Sequence, residues 1–177
     1  MTNYFEMQST FKIERTRKII RRWLVFFMIM LALSGITAMP VEWELSIAIK
    51  FFDESSVVGI WLNEIFFAVH ETGKKYPYLF YGYDWLGFAH IIIAIAFIGP
   101  FKDPVKNKWV LEFGTIACFL IVPFALFIGY FRGIPFWWRL IDCSFGILGL
   151  IPLGICYNKI TELERVTRQT EISEYSF

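Results

Sequence analysis

The chain has 177 residues, 17 Lys and Arg against 16 Asp and Glu, and 56% apolar residues. A mean hydropathy of +0.52 is more apolar surface than a soluble domain of this length can hide. The net charge of +1 says nothing about nucleic acid, but no basic stripe interleaved with aromatics occurs outside the membrane flanks, so no nucleic-acid partner is expected, and the length suits a single membrane domain, residues 1–177, rather than two domains.

Residues 1–22 are largely polar and carry Lys12, Arg15, Arg17, Lys18, Arg21 and Arg22. The first apolar run follows at about residues 23–39. It approaches the roughly 20 residues a helix needs to cross a hydrocarbon core. The apolar region of a cleaved signal peptide is about 7–15 residues long. This run is longer and follows a polar stretch, so it reads as a retained span despite Thr37-Ala38-Met39 at its end.

The connection over 41–82 differs from everything around it. Trp43, Leu45, Ile47, Ile49 and Phe52 mix with Glu42, Glu44 and Lys50. Val57, Val58, Trp61, Ile65 and Val69 then recur at helical spacing, with Asn63, Glu64 and Glu71 between them. These segments read as amphipathic helices that lie on the outer membrane surface or cap the bundle. A re-entrant piece over 57–70 is the lesser alternative. Tyr76, Tyr78, Tyr81, Tyr83 and Trp85 read as interfacial anchors.

Three more apolar runs follow at about 83–101, 109–131 and 136–157. Asp103-Pro104 reads as an N-cap and a first helical proline. Arg132-Gly133-Ile134-Pro135 reads as a helix end, a glycine stop and a restart. Both connections are short enough to make their helices antiparallel neighbours. In the tail, 158–177, Glu162, Glu164 and Arg165 carry the last helix a turn or two onward, and fraying is expected from Thr167. The fold class is therefore an all-α integral membrane protein, an antiparallel bundle of four transmembrane helices with an amphipathic outer connection.

Basic residues set the orientation. The N-terminal segment, the second connection (Lys102, Lys106, Lys108) and the tail (Lys159, Arg165, Arg168) together hold twelve of the 17 Lys and Arg. With four spans these segments share one side, so both termini are expected in the cytoplasm and the spans in a plasma (inner) membrane.

Ionisable groups inside a bilayer are costly and merit a functional hypothesis. At about 1.5 Å per residue, His90, Asp142, Cys143 and Ser34 fall at similar depth in the outer leaflet. Arg139, Asp142, Cys143, Gly146 and Gly149 share a face of the fourth span, and Gly87, His90 and Ala94 share a face of the second. On the third, Gly114, Cys118, Ala125 and Gly129 form a small-residue stripe of the kind that lets membrane helices approach closely. The leading expectation is structural: Arg139 pairs with Asp142, and Asp142 with His90. The alternatives are a proton or ion path through His90 and Asp142, and a catalytic site with Asp142 orienting His90 as general base. A metal site of His90, Asp142 and Cys143 lacks any ligand-spacing motif.

Haem would need two facing histidines, and the second of the two, His70, sits in the outer connection beside Glu71, where a solvated side chain is expected. Glu112 reads as an interfacial partner for Lys102, Lys108 or Arg22. Cys118, Cys143 and Cys156 form no CxxC pair and read as small packing residues. No cofactor or metal is expected. The functional expectation is a non-enzymatic accessory, assembly or scaffold protein whose partners are membrane lipid and other membrane proteins. The alternative is a small transporter or membrane-embedded enzyme using His90, Arg139 and Asp142.

Overall fold

The computed structural model describes residues 2–174, with side chains described over 10–168. It is 89% helical, and no strand occurs among the described residues. Seven α-helices follow in order: α1 (Thr2–Ala38), α2 (Val41–Ala48), α3 (Val57–Lys75), α4 (Tyr81–Ala96), α5 (Ile98–Lys102), α6 (Lys108–Phe131) and α7 (Phe136–Glu174). Short 3-10 turns occupy Ile49–Phe51 and Pro77–Phe80. Four stretches are long and apolar enough to cross a membrane: Thr10–Ala38, Pro77–Lys102, Lys108–Phe131 and Phe136–Arg168.

Helix boundaries depart from the hydropathy pattern where hydropathy is not what stops a helix. α1 begins at Thr2 rather than near residue 23, because no Gly or Pro occurs before Gly35. It ends at Ala38, where Pro40 disfavours helical geometry in the residue before it. α7 runs on to Glu174, since no Gly or Pro after Gly154 interrupts it. The second apolar run is divided into α4 and α5.

Asp103 does not start α6. It closes a separate turn, accepting the Lys106 amide at 3.2 Å. Asn107 stands at the head of α6 and sends its side-chain amide back to the carbonyls of Gly99 and Asp103, at 3.2 and 2.9 Å. The other end of α6 follows the expected chemistry. Gly133 adopts φ +69°. Its amide donates to Tyr130 O at 3.2 Å, and the Ile134 amide to Gly129 O at 2.9 Å, the paired bonds of a Schellman stop.

The chain divides into two compact units, Met1–Met28 with Ala96–Phe177, and Ile29–Ile95. In the first, Ile20 and Leu24 of α1, Leu111 of α6, and Leu153, Cys156, Ile160 and Leu163 of α7 are buried, together with Phe97. The spacings within α1 and α7 are those of one helix face. Ile160 and Leu163 lie beyond the last apolar run, so this core continues past the hydrophobic stretch. There the face is rimmed by charge: Lys108 meets Glu164 at 2.9 Å, and Glu162 lies 2.7 Å from Lys159 and 3.4 Å from Lys12. Arg21 donates to Phe101 O at 3.3 Å and covers the Phe101 ring.

The α6–α7 crossing depends on missing side chains. A Cβ on Gly146 would run into the Cys118 carbonyl, and one on Gly149 would lie 2.7 Å from Cys118 Sγ. A Cβ on Gly114 would lie 2.7 Å from the Phe97 ring. Small residues at these points let the two helix backbones approach closely. The reverse side of α6 exposes Ile116, Phe119, Phe124 and Phe127.

The second unit is built from short elements. α2 and α3 are both helical, but α3 buries Gly59 and Leu62 rather than the row Val57, Trp61, Ile65 and Val69, whose first member is 73% exposed; α2 buries Leu45. Ser56 caps α3 by accepting the Gly59 amide at 2.9 Å. Asp53 turns the chain just before it, accepting the Ser55 hydroxyl at 2.7 Å and the Ser55 amide at 2.8 Å. These bonds, the hydroxyl's first, hold the Asp53 carboxyl below the usual carboxylate range. Within this unit Gly35 and Gly87 stand backbone to backbone. A Cβ on either would collide with the carbonyl of the other.

Candidate functional site

The side chains singled out by depth in the apolar runs fall into different surroundings. Arg139, Asp142 and Cys143 belong to the first unit, and His90 to the second. Arg139 and Cys143 both turn toward α6. Arg139 Nη1 donates to Leu126 O at 3.1 Å, and its guanidinium covers the rings of Tyr130 and Phe136 at 5.9 and 5.3 Å. Its methylene stem fills the space that Gly129 leaves, and a Cβ there would meet Arg139 Cδ at 2.5 Å. The expected pairing of Arg139 with Asp142 is not formed. α6 lies close enough, through Gly129, for the guanidinium to take a carbonyl and two aromatic faces instead.

Asp142 is half-buried and makes no hydrogen bond or ion pair with the described residues. Cys143 is buried with Sγ 3.8 Å from Val122 O. Cys156 is buried with Sγ 3.6 Å from Ile20 O. All three cysteines are free and buried, and the described residues hold no cluster of three or more His, Cys, Asp or Glu able to grip a metal ion. Two buried nitrogens in these segments lack a hydrogen-bond partner among the described residues, His90 Nδ1 and Arg139 Nε. His90 stands where α4 meets the end of α1, with its Cβ 2.8 Å from where a Gly35 Cβ would be.

A second constellation, in the 41–82 connection, escapes a linear reading. His70 of α3 is not simply solvated. Its Nδ1 lies 2.6 Å from Glu42 Oε1 of α2, and its ring stacks on Phe66 with centroids 5.7 Å apart. Glu42, Trp43 and Ser46 of α2, Phe66 of α3 and Phe80 line an open cavity of about 520 Å³, closed at one corner by residues 39–41. Phe80 stacks in turn on Tyr83 at 5.6 Å. Gly73 leaves room for the carboxylate, with Glu42 Oε2 3.6 Å from where its Cβ would be. Glu42 and His70 are 28 residues apart, and their pairing depends on the turn at Asp53, so adjacency to Glu71 pointed the wrong way. The one local signal was Phe66 and His70 at i, i+4, a spacing that stacks side chains along a helix face.

Comparison with protein-family models, with curated proteins and with solved structures finds no match. The functional reading therefore stands on these residues.

Proposed function

We propose that the chain is an integral membrane protein of four spans whose role is non-enzymatic: an accessory, assembly or scaffold protein that works against lipid and other membrane proteins. The spans are α1, the Pro77–Lys102 segment, α6 and the apolar part of α7. Both termini lie in the cytoplasm of a plasma (inner) membrane, and the 41–82 connection faces outward. The observation that carries the reading is the wide exposed apolar surface on helices of spanning length. Phe119 and Phe124 of α6 are each 66% exposed, and Phe145 of α7 is 62% exposed. A surface of this size needs a lipid or protein cover.

The small transporter or membrane-embedded enzyme is the second reading. It is favoured by the buried, partnerless nitrogens of His90 and Arg139 and by the unpaired Asp142. Against it, Arg139 is held by the Leu126 carbonyl and two aromatic rings, which suits a packing role.

Two measurements test this. With cysteine probes in a cysteine-free background, an impermeant reagent applied outside should label a probe at Ser56 and spare probes at Asn107 and Ser173. Labelling at Asn107 from outside would sink the topology. In the native host, Asp142→Asn should keep both the folded yield and the cellular role, since the carboxylate has no hydrogen-bond or ion-pair partner among the described residues to lose. A well-folded Asp142→Asn protein that fails to replace the wild type would promote the second reading, because an amide cannot exchange a proton as a carboxylate does.

A further inference from the structure

The cavity between α2 and α3 combines aromatic walls with one anionic group. Trp43, Phe66 and Phe80 supply rings, and Glu42 supplies the carboxylate. Two of the rings are held in place: Phe66 by the stack with His70 and Phe80 by the stack with Tyr83. The His70 contact uses Glu42 Oε1, while a carboxylate has about four acceptor sites. The other oxygen, Oε2, lies against α3 at Gly73, and Glu42 is the acidic side chain among the residues that line the cavity. The Ser46 hydroxyl donates to the Trp43 carbonyl at 2.7 Å.

Three aromatic rings beside a carboxylate favour a cation. A primary ammonium needs up to three acceptors to replace its water. A quaternary ammonium needs none, and is drawn to aromatic faces and to a nearby carboxylate. The volume of about 520 Å³ lies within the range of small-molecule sites, roughly 300–1,000 Å³.

We propose that the Glu42–Trp43–Phe66–Phe80 cavity is a binding site for a quaternary ammonium group. The site goes beyond the accessory reading and does not depend on it. The same chemistry is carried by a free solute such as choline and by the choline headgroup of phosphatidylcholine.

The test uses the full-length protein purified in detergent, with choline and its neutral isostere 3,3-dimethylbutanol as probes, followed by calorimetry. Choline should bind saturably and at least about ten-fold more tightly than the isostere, since only the charge differs and cation–π attraction grows when the cation is desolvated. Glu42→Gln should weaken choline by about ten-fold, and Trp43→Leu by about three- to ten-fold. Trp43→Phe should recover most of the loss, which separates ring chemistry from a fold defect. His70→Gln reaches the ligand only through Glu42 and should have the smaller effect. Absence of saturable binding to the wild type, equal affinity for choline and the isostere, or unchanged choline affinity in folded Glu42→Gln would each overturn the proposal.

The source of the group is read in nanodiscs. If the headgroup occupies the cavity, choline binds more weakly in phosphatidylcholine discs than in phosphatidylethanolamine discs, through competition. Equal binding in the two assigns the site to a free solute.

Discussion

The two units are held together by different means. In Met1–Met28 with Ala96–Phe177, long helices pack through buried apolar side chains. Fully buried Ile20, Leu24, Leu111 and Leu153 are joined by glycines that admit a neighbouring helix. In Ile29–Ile95, short elements are joined by turns, a cap, a histidine–carboxylate contact and one glycine–glycine crossing. The first arrangement is repetitive along its length, so loss of one contact leaves the rest in register. The second uses each contact once. The cavity between α2 and α3 and the Glu42–His70 contact beside it lie in this second unit.

The largest effect should come from filling a crossing. Gly146→Leu drives a side chain into the Cys118 backbone, which has no flexible arm to move aside. Overpacking typically costs about 1–3 kcal/mol and sometimes more. Thermal stability in detergent should fall well below that of Phe145→Leu, one position away and exposed. Gly87→Leu should be comparably harmful, but in protease protection of the 29–95 unit. If Gly146→Leu and Phe145→Leu melt together, the close α6–α7 contact is refuted. If Gly87→Leu leaves protection of 29–95 unchanged, the glycine–glycine crossing is refuted.

Arg139 gives a smaller effect and a sharper one. Its removal loses one charge-assisted hydrogen bond and two cation–π contacts, but also removes a buried nitrogen with no partner. Arg139→Met keeps the stem that fills the Gly129 space. Loss of the charged hydrogen bond costs about 1.5–3 kcal/mol, partly offset by not burying the guanidinium. The net change in unfolding free energy should be about 1 kcal/mol, and Arg139→Ala should cost more through the emptied space. An Arg139→Met protein as damaged as Arg139→Ala would mean that charge rather than packing holds this end of α6.

Much of this was legible in the sequence, and the limits have physical reasons. Turn chemistry placed the Gly133 stop of α6, and helical spacing over 57–69 gave α3 as a helix but not its buried face, which is Gly59 and Leu62. Hydropathy misplaced the ends of α1 and α7 because helix propensity, not lipid solubility, decides where a helix stops. It also hid Ile160 and Leu163, buried residues in a charged stretch. Depth counting chose Arg139 as a polar group but not its partner, since an acceptor carbonyl such as Leu126 O carries no side-chain signature. The Glu42–His70 contact was invisible for a similar reason. It is set by the angle between α2 and α3, which the Asp53 turn fixes and no periodicity reports.

That turn yields the smallest prediction and the one most specific to the second unit. Asp53 is fully exposed, so global stability should barely register it. Locally its carboxylate holds the Ser55 hydroxyl and amide, and its own backbone carbonyl accepts Ser56, which in turn caps α3. The folded-state value lies below that of the unfolded chain, about 3.9. A group depressed in this way adds stability that is present above the unfolded value and is lost as pH falls through the folded one. Amide exchange at residues 55–59 should therefore quicken relative to the intrinsic rate as pH drops below about 4. Amides in the middle of α6 should show no such step, since no carboxylate fixes their hydrogen bonds. Asp53→Asn keeps a side-chain acceptor but cannot ionise, so its protection at 55–59 should be slightly lower at neutral pH and flat with acidification. A pH step of equal size in Asp53→Asn would assign the titration to another group and detach the α3 cap from this carboxylate.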